Sequence, residues 1–444
     1  MLNDPLIPLG EKDGTLHFLS EKLREIEEER GKIVLRSVET RRIFSEAVRE
    51  AFDPLPKTTL HATLSVTAGL KLQSGSSVIS LSGEREPVQM IVKLVDAANY
   101  EAERTHLVQE STGRSAENNI YLLSRDDDRL SNLVNEIYRC QEIVAKYRNE
   151  PDQEVKDYCL NQTGRADTLK RTQLIPKIKE VLGHGSFVFR GRATAVSTLD
   201  AQLVDAAKKI LNEAAGEVFD RYVEAPIRAE TVLAERFLRA AANPSSISST
   251  LDPLGLVEMA GGQPRLKTTQ KCILSIHDFI DKYGTADGKR LVSYFGEPPF
   301  SWSADTLRYI LAAMLVFGEI KLKISGREVT SSGQQAIDAL KTNKSFGNVG
   351  VALRDERPSN ETLARAAQRL TDLIGENVIP LEQEISQATV KHFPRFQQEY
   401  APLAEKLSVL YAGGVERVRT LNQTITDVLL VDASDAAQRL GAEE

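Results

Sequence analysis

The sequence predicts a mainly α protein with an α+β part, and three patterns in its 444 residues predict it. Short runs of period-two alternation sit between helical stripes in the first half. Three helical stretches followed by a tight hairpin signal occupy 271–330. Two apolar stripes of helical period fill the chain after Pro358. These patterns divide the chain into a lead-in segment and charged helix (1–35), an α+β domain (36–245), a winged-helix-like domain (246–345) and a C-terminal helical bundle with a polar tail (346–444).

The first dozen residues are punctuated by Pro and Gly and read as an extended lead-in. Residues 19–30 read as a charged, solvated helix with too few apolar positions to bury much. Ser37 is placed to cap the next helix, with Glu39 in its first turn. Ile43, Phe44, Ala47, Val48 and Ala51 form that helix's apolar face, and Asp53-Pro54-Leu55-Pro56 stops it. From Leu60 the period becomes two: Leu60, Ala62, Leu64 and Val66 alternate with His61, Thr63 and Ser65, a half-buried strand with 76–81 as its partner.

Pro87 suits the first turn of a helix that buries Ile91, Leu94, Val95 and Ala98. Residues 119–123 read as a short strand. Ser124 with Asp127 resembles a capping box for a helix burying Leu130, Leu133, Val134, Ile137, Tyr138 and Val144. A further helix carries Leu174, Ile178 and Val181 and ends at Gly183-His184-Gly185. Residues 186–196 read as a hairpin around Gly191. A long helix over 199–222 and another from Pro226 to Ala242 complete the domain.

The Ser-rich run 243–250 reads as a linker, Gly261-Gly262-Gln263-Pro264 as a second break, and 255–260 between them as a strand. Helices over 271–282, 286–295 and from Ser303 to Gly318 precede strands 319–324 and 327–330 around Ser325-Gly326, the order of a winged helix. Beyond it, Leu363, Ala366, Leu370, Leu373 and Ile374 form one helical stripe. Val415, Val418, Leu421, Ile425, Val428 and Leu429 form another. The tail from Asp432 is polar and expected to fray.

Composition bounds the function. Hydrophobic residues make up 41% and charged residues 27%, with a net charge of -7, which argues against a uniformly basic surface but leaves room for a local patch. No stretch is long and apolar enough for a membrane span, and the N-terminus does not read as a signal peptide. Three widely spaced cysteines, Cys140, Cys159 and Cys272, fit reduced thiols, so a cytoplasmic protein is expected.

Motif searches assign no catalytic, cofactor-binding or metal-ligating residue. The nearest approach to a phosphate loop, GTADGKR (284–290), is one residue short and carries Arg290 in the hydroxyl position, so it reads as a helix–helix turn. VLLVD (428–432) reads as a helix end. His17, His61, His106, His184, His277 and His392 lack ligand spacing. His184 beside Ser186 reads as a helix stop. Asp126-Asp127-Asp128 reads as acids complementing a helix N-terminus, the alternative being a cation site of a metal-dependent nuclease. In the winged-helix-like segment Arg308 is the one base on an otherwise apolar third helix, while Lys321, Lys323 and Arg327 lie on the hairpin. These four are the candidate nucleic-acid contacts. That helix is too apolar to enter a groove well, which favours a protein-contact or structural role over base reading. Trp302 is a candidate partner contact, against the plainer reading that it packs the turn.

The run PPFSWSADTLRYILAAMLVFGEIKLKISGREVT (298–330) resembles a segment of the P-loop protein family of bacterial BREX phage-defence systems, which includes the corresponding protein of the phage-growth-limitation system. LRSVETRRIF (35–44), LHATLSVTAGLKLQSG (60–75), VDAANYEAERT (95–105), NNIYLLSRDDD (118–128), DQEVKDYC (152–159), SFVFRGRATAV (186–196), EAPIRAETVLAE (224–235), LDPLGLV (251–257) and VALRDERPS (351–359) are similar as well, in one order. The resemblance implies the C-terminal part of such a protein. The family's ATPase domain lies nearer its N-terminus and has no counterpart among these residues, so ATP and Mg are expected only for the full-length family. Hydrolysis is expected from a domain outside this chain or from another subunit. The implied role is in a multi-protein complex that blocks phage DNA replication and accompanies methylation of host DNA. Expected partners are other BREX defence proteins, further copies of the chain, and DNA. No membrane is expected.

Overall fold

The structure, a computed structural model, describes residues 9–12, 15–18, 20–240, 247–260, 263–354, 358–409, 414–429 and 435–442. It is an α+β protein in which helix predominates. Chain contacts divide it into two units, Met1–Val218 and Phe219–Glu444. The division precedes the Ser-rich run because the segment just after Val218 packs within the second unit. Residues 243–246 of that run, Gly261-Gly262 and Leu430-Val431-Asp432 lie outside the described residues.

The first unit opens with an antiparallel hairpin, β1 (Leu9–Lys12) and β2 (Thr15–Phe18). In α1 (Glu21–Gly31), Ser20 caps the N-terminus by accepting from the Leu23 N–H. This helix buries more than its charge suggests: Leu23 and Ile26 join Ile143, Val155, Tyr158 and Cys159 in one core cluster. Its charged face is used as well. Arg30 lies between Glu27 (2.8 Å) and Glu136 (2.5 Å), and the Tyr158 hydroxyl donates to Glu27 at 2.9 Å. Next, α2 (Ser37–Ala51) buries Ile43, Ala47, Val48 and Ala51 as its spacing predicts.

The predicted single strand around 60–66 is two strands. β3 (Lys57–Leu60) turns into β4 (Leu64–Ser74) through His61 and Ala62, both left-handed at φ 48° and 60°. β5 (Ser77–Ser82) pairs with β4 as expected. The helix expected after Pro87 is instead β6 (Val88–Val95), parallel to β4. Buried Gln89 fixes that start: its side-chain amide donates to the carbonyls of Gly83 (3.0 Å) and Glu86 (2.7 Å), holding the loop around Pro87 out of a helix.

From β6 the chain passes through α3 (Tyr100–Glu110) to β7 (Asn119–Arg125), parallel to β6. Ser124 belongs to this strand and donates to the Val181 carbonyl. The cap of α4 (Asp128–Tyr147) is Asp127, which accepts from the Arg129 N–H. Then α5 (Gln153–Thr168) runs through a π-helical turn (Leu169–Leu174) into α6 (Ile175–Gly183). β8 (Ser186–Phe189) and β9 (Arg192–Ala195) form the expected hairpin and complete a seven-stranded mixed sheet of order β3-β4-β6-β7-β8-β9, with β5 beside β4. The long helix expected over 199–222 is split into α7 (Val196–Leu199) and α8 (Leu203–Val218).

In the second unit a 3-10 turn (Tyr222–Glu224) leads into an extended stretch before α9 (Leu233–Ala240), where a helix from Pro226 was expected. Tertiary hydrogen bonds override local propensity here: the Thr306 hydroxyl accepts from the Ala229 N–H and donates to the Ile227 carbonyl, both at 3.1 Å. β10 (Val257–Ala260) and β11 (Gln263–Leu266) form a hairpin. Asp252 anchors it by accepting from the N–H groups of Leu256 (2.8 Å) and Val257 (2.9 Å) and from the Tyr309 hydroxyl.

Next come α10 (Lys271–Tyr283), β12 (Ala286–Asp287), α11 (Gly288–Gly296), α12 (Ala304–Val316), β13 (Ile320–Ile324) and β14 (Arg327–Val329). α13 (Gln334–Leu340) and α14 (Asn343–Phe346) lead to β15 (Gly350–Leu353), which inserts between β12 and β13 to give an antiparallel sheet of order β12-β15-β13-β14. Every residue from Thr306 to Leu315 is buried. Each large apolar side chain in that run contributes roughly 1.5–3 kcal/mol by leaving water, so α12 is the spine of this region.

The last helices are α15 (Asn360–Ile374), α16 (Glu382–Val409), α17 (Val415–Leu429) and α18 (Ala436–Gly441). α16 and α17 are antiparallel, joined by Gln397 to Thr426 (2.8 Å) and Asn422 to the Tyr400 carbonyl (3.0 Å). The tail expected to fray instead forms α18. Ala436 and Ala437 are fully buried among Ala366, Leu370 and Ile425, and Arg369 donates to the Leu440 and Ala442 carbonyls that end the helix.

Candidate nucleic-acid interface

Ser325 and Gly326 are both left-handed (φ 50° and 81°), the two-residue turn that closes a hairpin without splaying its strands. The register sets Leu322 opposite Val329, Lys323 opposite Glu328 and Ile324 opposite Arg327. Strand alternation then sorts the cations. Lys321 and Lys323 share one face with Glu328, and Arg327 shares the other with Ile324, Leu322 and Val329. The hairpin does not bring its three expected contacts together.

On the first face the Lys321 ammonium lies 3.1 Å from Glu328, and the Lys323 ammonium lies 4.0 Å from the same carboxylate. Two positive charges against one negative leave that face net positive. Lys323 also donates to the Thr285 hydroxyl at 3.1 Å, in the turn between α10 and β12. Gly350 makes this approach feasible. A Cβ on it would lie 3.1 Å from the Thr285 methyl and 3.2 Å from Lys323 Cβ. On the second face Arg327 lines an open cleft of about 570 Å³ with Ser325, Gln335, Asp338, Ser345 and Asn348. It forms no ion pair among the described residues.

Arg308 is withdrawn from the expected contacts. Its side chain is 0% exposed, paired with Asp305, and donates to the carbonyls of Leu340 and Thr231. It fastens α12 to α13 and to the segment before α9 and reaches no external phosphate. Trp302 likewise does not present a surface to a partner: it is 2% exposed, stacked on Phe295 at 4.9 Å and against Phe300 at the same distance.

That buried stack continues outward. Phe295 meets Phe279, and Phe279 meets Tyr294 (4.4 Å between centroids) and Tyr283 (4.8 Å). Tyr283 is 40% exposed and Tyr294 45%. The Arg290 guanidinium lies 4.0 Å from the Tyr283 ring centre and the Lys282 ammonium 5.4 Å from it. Neither cation forms an ion pair among the described residues. Sequence reading missed this cluster, although Phe279 and Tyr283 at helical i, i+4 spacing beside Lys282 were legible.

Two N–H groups of the GTADGKR turn, a shortened likeness of a phosphate loop, are taken by partners of this chain. Gly288 donates to the Val349 carbonyl and Arg290 to the Asp287 carboxylate. Asp127 of the acidic run caps α4 and pairs with Lys177 at 2.9 Å, which together hold its carboxyl below the usual range. Among the described residues no group of three or more His, Cys, Asp or Glu side chains is arranged to hold a metal ion. No described helix is long and apolar enough to cross a membrane. The chain matches no family model, no curated protein and no solved structure.

Proposed function

We propose that this chain is a non-catalytic portion of a BREX-type phage-defence ATPase, serving assembly and partner docking, and that it meets nucleic acid through phosphates. The ordered likeness of its segments to that family supports the first part. Other BREX proteins and further copies of the chain are the proposed partners, with ATP turnover supplied from outside it. The elements α10 to β15 are read as a winged helix with an enlarged wing: three helices, a short strand after the first, and the β13–β14 hairpin, which β15 joins after α13 and α14. Helices α15–α18 are read as a helical bundle.

One observation carries the nucleic-acid part. Lys321 and Lys323 project from a single hairpin face beside the α10–β12 turn, while α12 is encased along its length. A buried third helix offers no side chains to a groove, so contact falls to cations that position phosphates without reading sequence. Mobility shift of a duplex of arbitrary sequence tests this at low and moderate salt. Lys321→Ala with Lys323→Ala weakens the shift strongly, most of all at low salt, whereas Arg327→Ala, on the opposite face, weakens it less. A shift unchanged by the double substitution removes the hairpin from the account.

A further inference from the structure

The hairpin face and the aromatic cluster meet at Thr285. Its hydroxyl receives Lys323, and two residues earlier Tyr283 ends α10 with its ring under Arg290. One surface therefore offers two half-exposed tyrosines, a guanidinium 4.0 Å from the ring centre of one of them, and ammonium groups at Lys282 and Lys323. The rings cannot swing freely, because Phe279 backs both of them and Phe295 backs Phe279 in turn. A tyrosine held in this way loses little side-chain entropy when something stacks on it.

We propose that Tyr283, Arg290 and Tyr294 form a stacking site for unpaired bases of a single-stranded nucleic acid, with Lys282 and Lys323 meeting its phosphates. This rests on the phosphate-contact reading above and names the ligand class for the same surface. Bases in a duplex hide their faces in the stack. Unpaired bases expose them to aromatic rings and to arginine planes, at roughly 1–3 kcal/mol per base. The charge balance agrees with a moderate site rather than a tight one. Asp281 leaves α10 on the side away from Tyr283 and the Asp287 carboxylate is turned to its own helix start, but Asp278 stands one turn before Lys282.

Fluorescence anisotropy with the full chain tests the site, using labelled oligothymidine, oligouridine and a mixed duplex of equal length. Wild type binds the single strands more tightly than the duplex. Tyr283→Leu with Tyr294→Leu weakens single-strand binding at least roughly fivefold per ring and leaves duplex binding unchanged. Phenylalanine at both positions restores it, which separates a stacking role from damage to the fold. Preference for oligothymidine or oligouridine tells DNA from RNA as the source, and either agrees with the proposal. Leucine variants that bind single strands as wild type does, or phenylalanine variants no better than leucine, overturn the stacking site while leaving the hairpin contact intact. Single-strand binding that keeps its stacking but is indifferent to Lys321 and Lys323 would overturn the phosphate reading instead.

Discussion

Gly288 lies so close to Phe346 that a Cβ built on it would sit 2.0 Å from the Phe346 carbonyl oxygen. The glycine in the GTADGK stretch is there for a backbone contact between α11 and the end of α14. Gly288→Ala must therefore push these elements apart and should lower unfolding free energy by about 1–3 kcal/mol in urea. Lys289→Ala, at an exposed neighbour, should stay within about 0.5 kcal/mol of wild type. Wild-type stability in Gly288→Ala would undo this explanation.

Arg308 illustrates a cation whose value lies in what it fastens. Arg308→Met removes the fork that joins Asp305, Leu340 and Thr231, leaving the Leu340 and Thr231 carbonyls without this donor and Asp305 with only the Thr231 hydroxyl (3.1 Å) of its two partners. Removing one partner of such a pair costs on the order of 3 kcal/mol. The urea midpoint should fall accordingly, with nucleic-acid affinity of the folded fraction unchanged. Loss of affinity at full stability would return Arg308 to the interface.

Burial pushes the Cys272 thiol up to about 12 from an ordinary 9.0, and the Tyr121 phenol up to about 12 from 10.0. The folded state holds these protons after the unfolded chain has released them. Their contribution is complete below the unfolded values and is lost as pH climbs from about 9 toward 12. Unfolding free energy should decline over that range, and Cys272→Ala should flatten the decline. Native Cys272 should also resist alkylation at pH 8, since the thiolate is the reactive form. Rapid labelling of the folded chain would contradict its placement.

Glu328 competes with any phosphate for Lys321 and Lys323. An exposed pair of this kind is worth roughly 0.2–1 kcal/mol. Glu328→Gln should thus tighten binding by roughly 1.5- to 5-fold in the mobility-shift assay. Weaker binding would show that the carboxylate orders the lysines rather than neutralising them.

The hairpin around Ser325-Gly326 was legible because a two-residue turn and alternating flanks specify it locally. β6 was not. Its run VQMIVKLV follows a proline and carries apolar residues at spacings a helix also satisfies, and only its place between two parallel partners makes every position from Val88 to Val92 buried. The extended stretch before α9 depends on Thr306, far along the chain, and no local signal announces it. The same distance effect hid the site. Sequence supplied Lys321, Lys323 and Arg327 as hairpin cations and Arg308 as the one base of an apolar helix. Alternation across the hairpin separates Arg327 from the lysines, and Leu340 and Thr231 take Arg308 inward. The neighbourhood of Lys323 with Tyr283 exists only once β15 has inserted beside β12. The order of the tail has no local signal either: Ala436 and Ala437 stand among polar neighbours in sequence, yet they are buried against Ala366 and Leu370 of α15.

The salt dependence of duplex binding tests the phosphate contact most directly. Taking away one lysine–phosphate pairing on duplex DNA should make the slope of log affinity against log salt shallower by about 0.9. Wild type and the Lys321→Ala, Lys323→Ala chain should differ by roughly 2 in that slope, with the variant shallower on every sequence tried. Equal slopes for the two proteins would contradict the account.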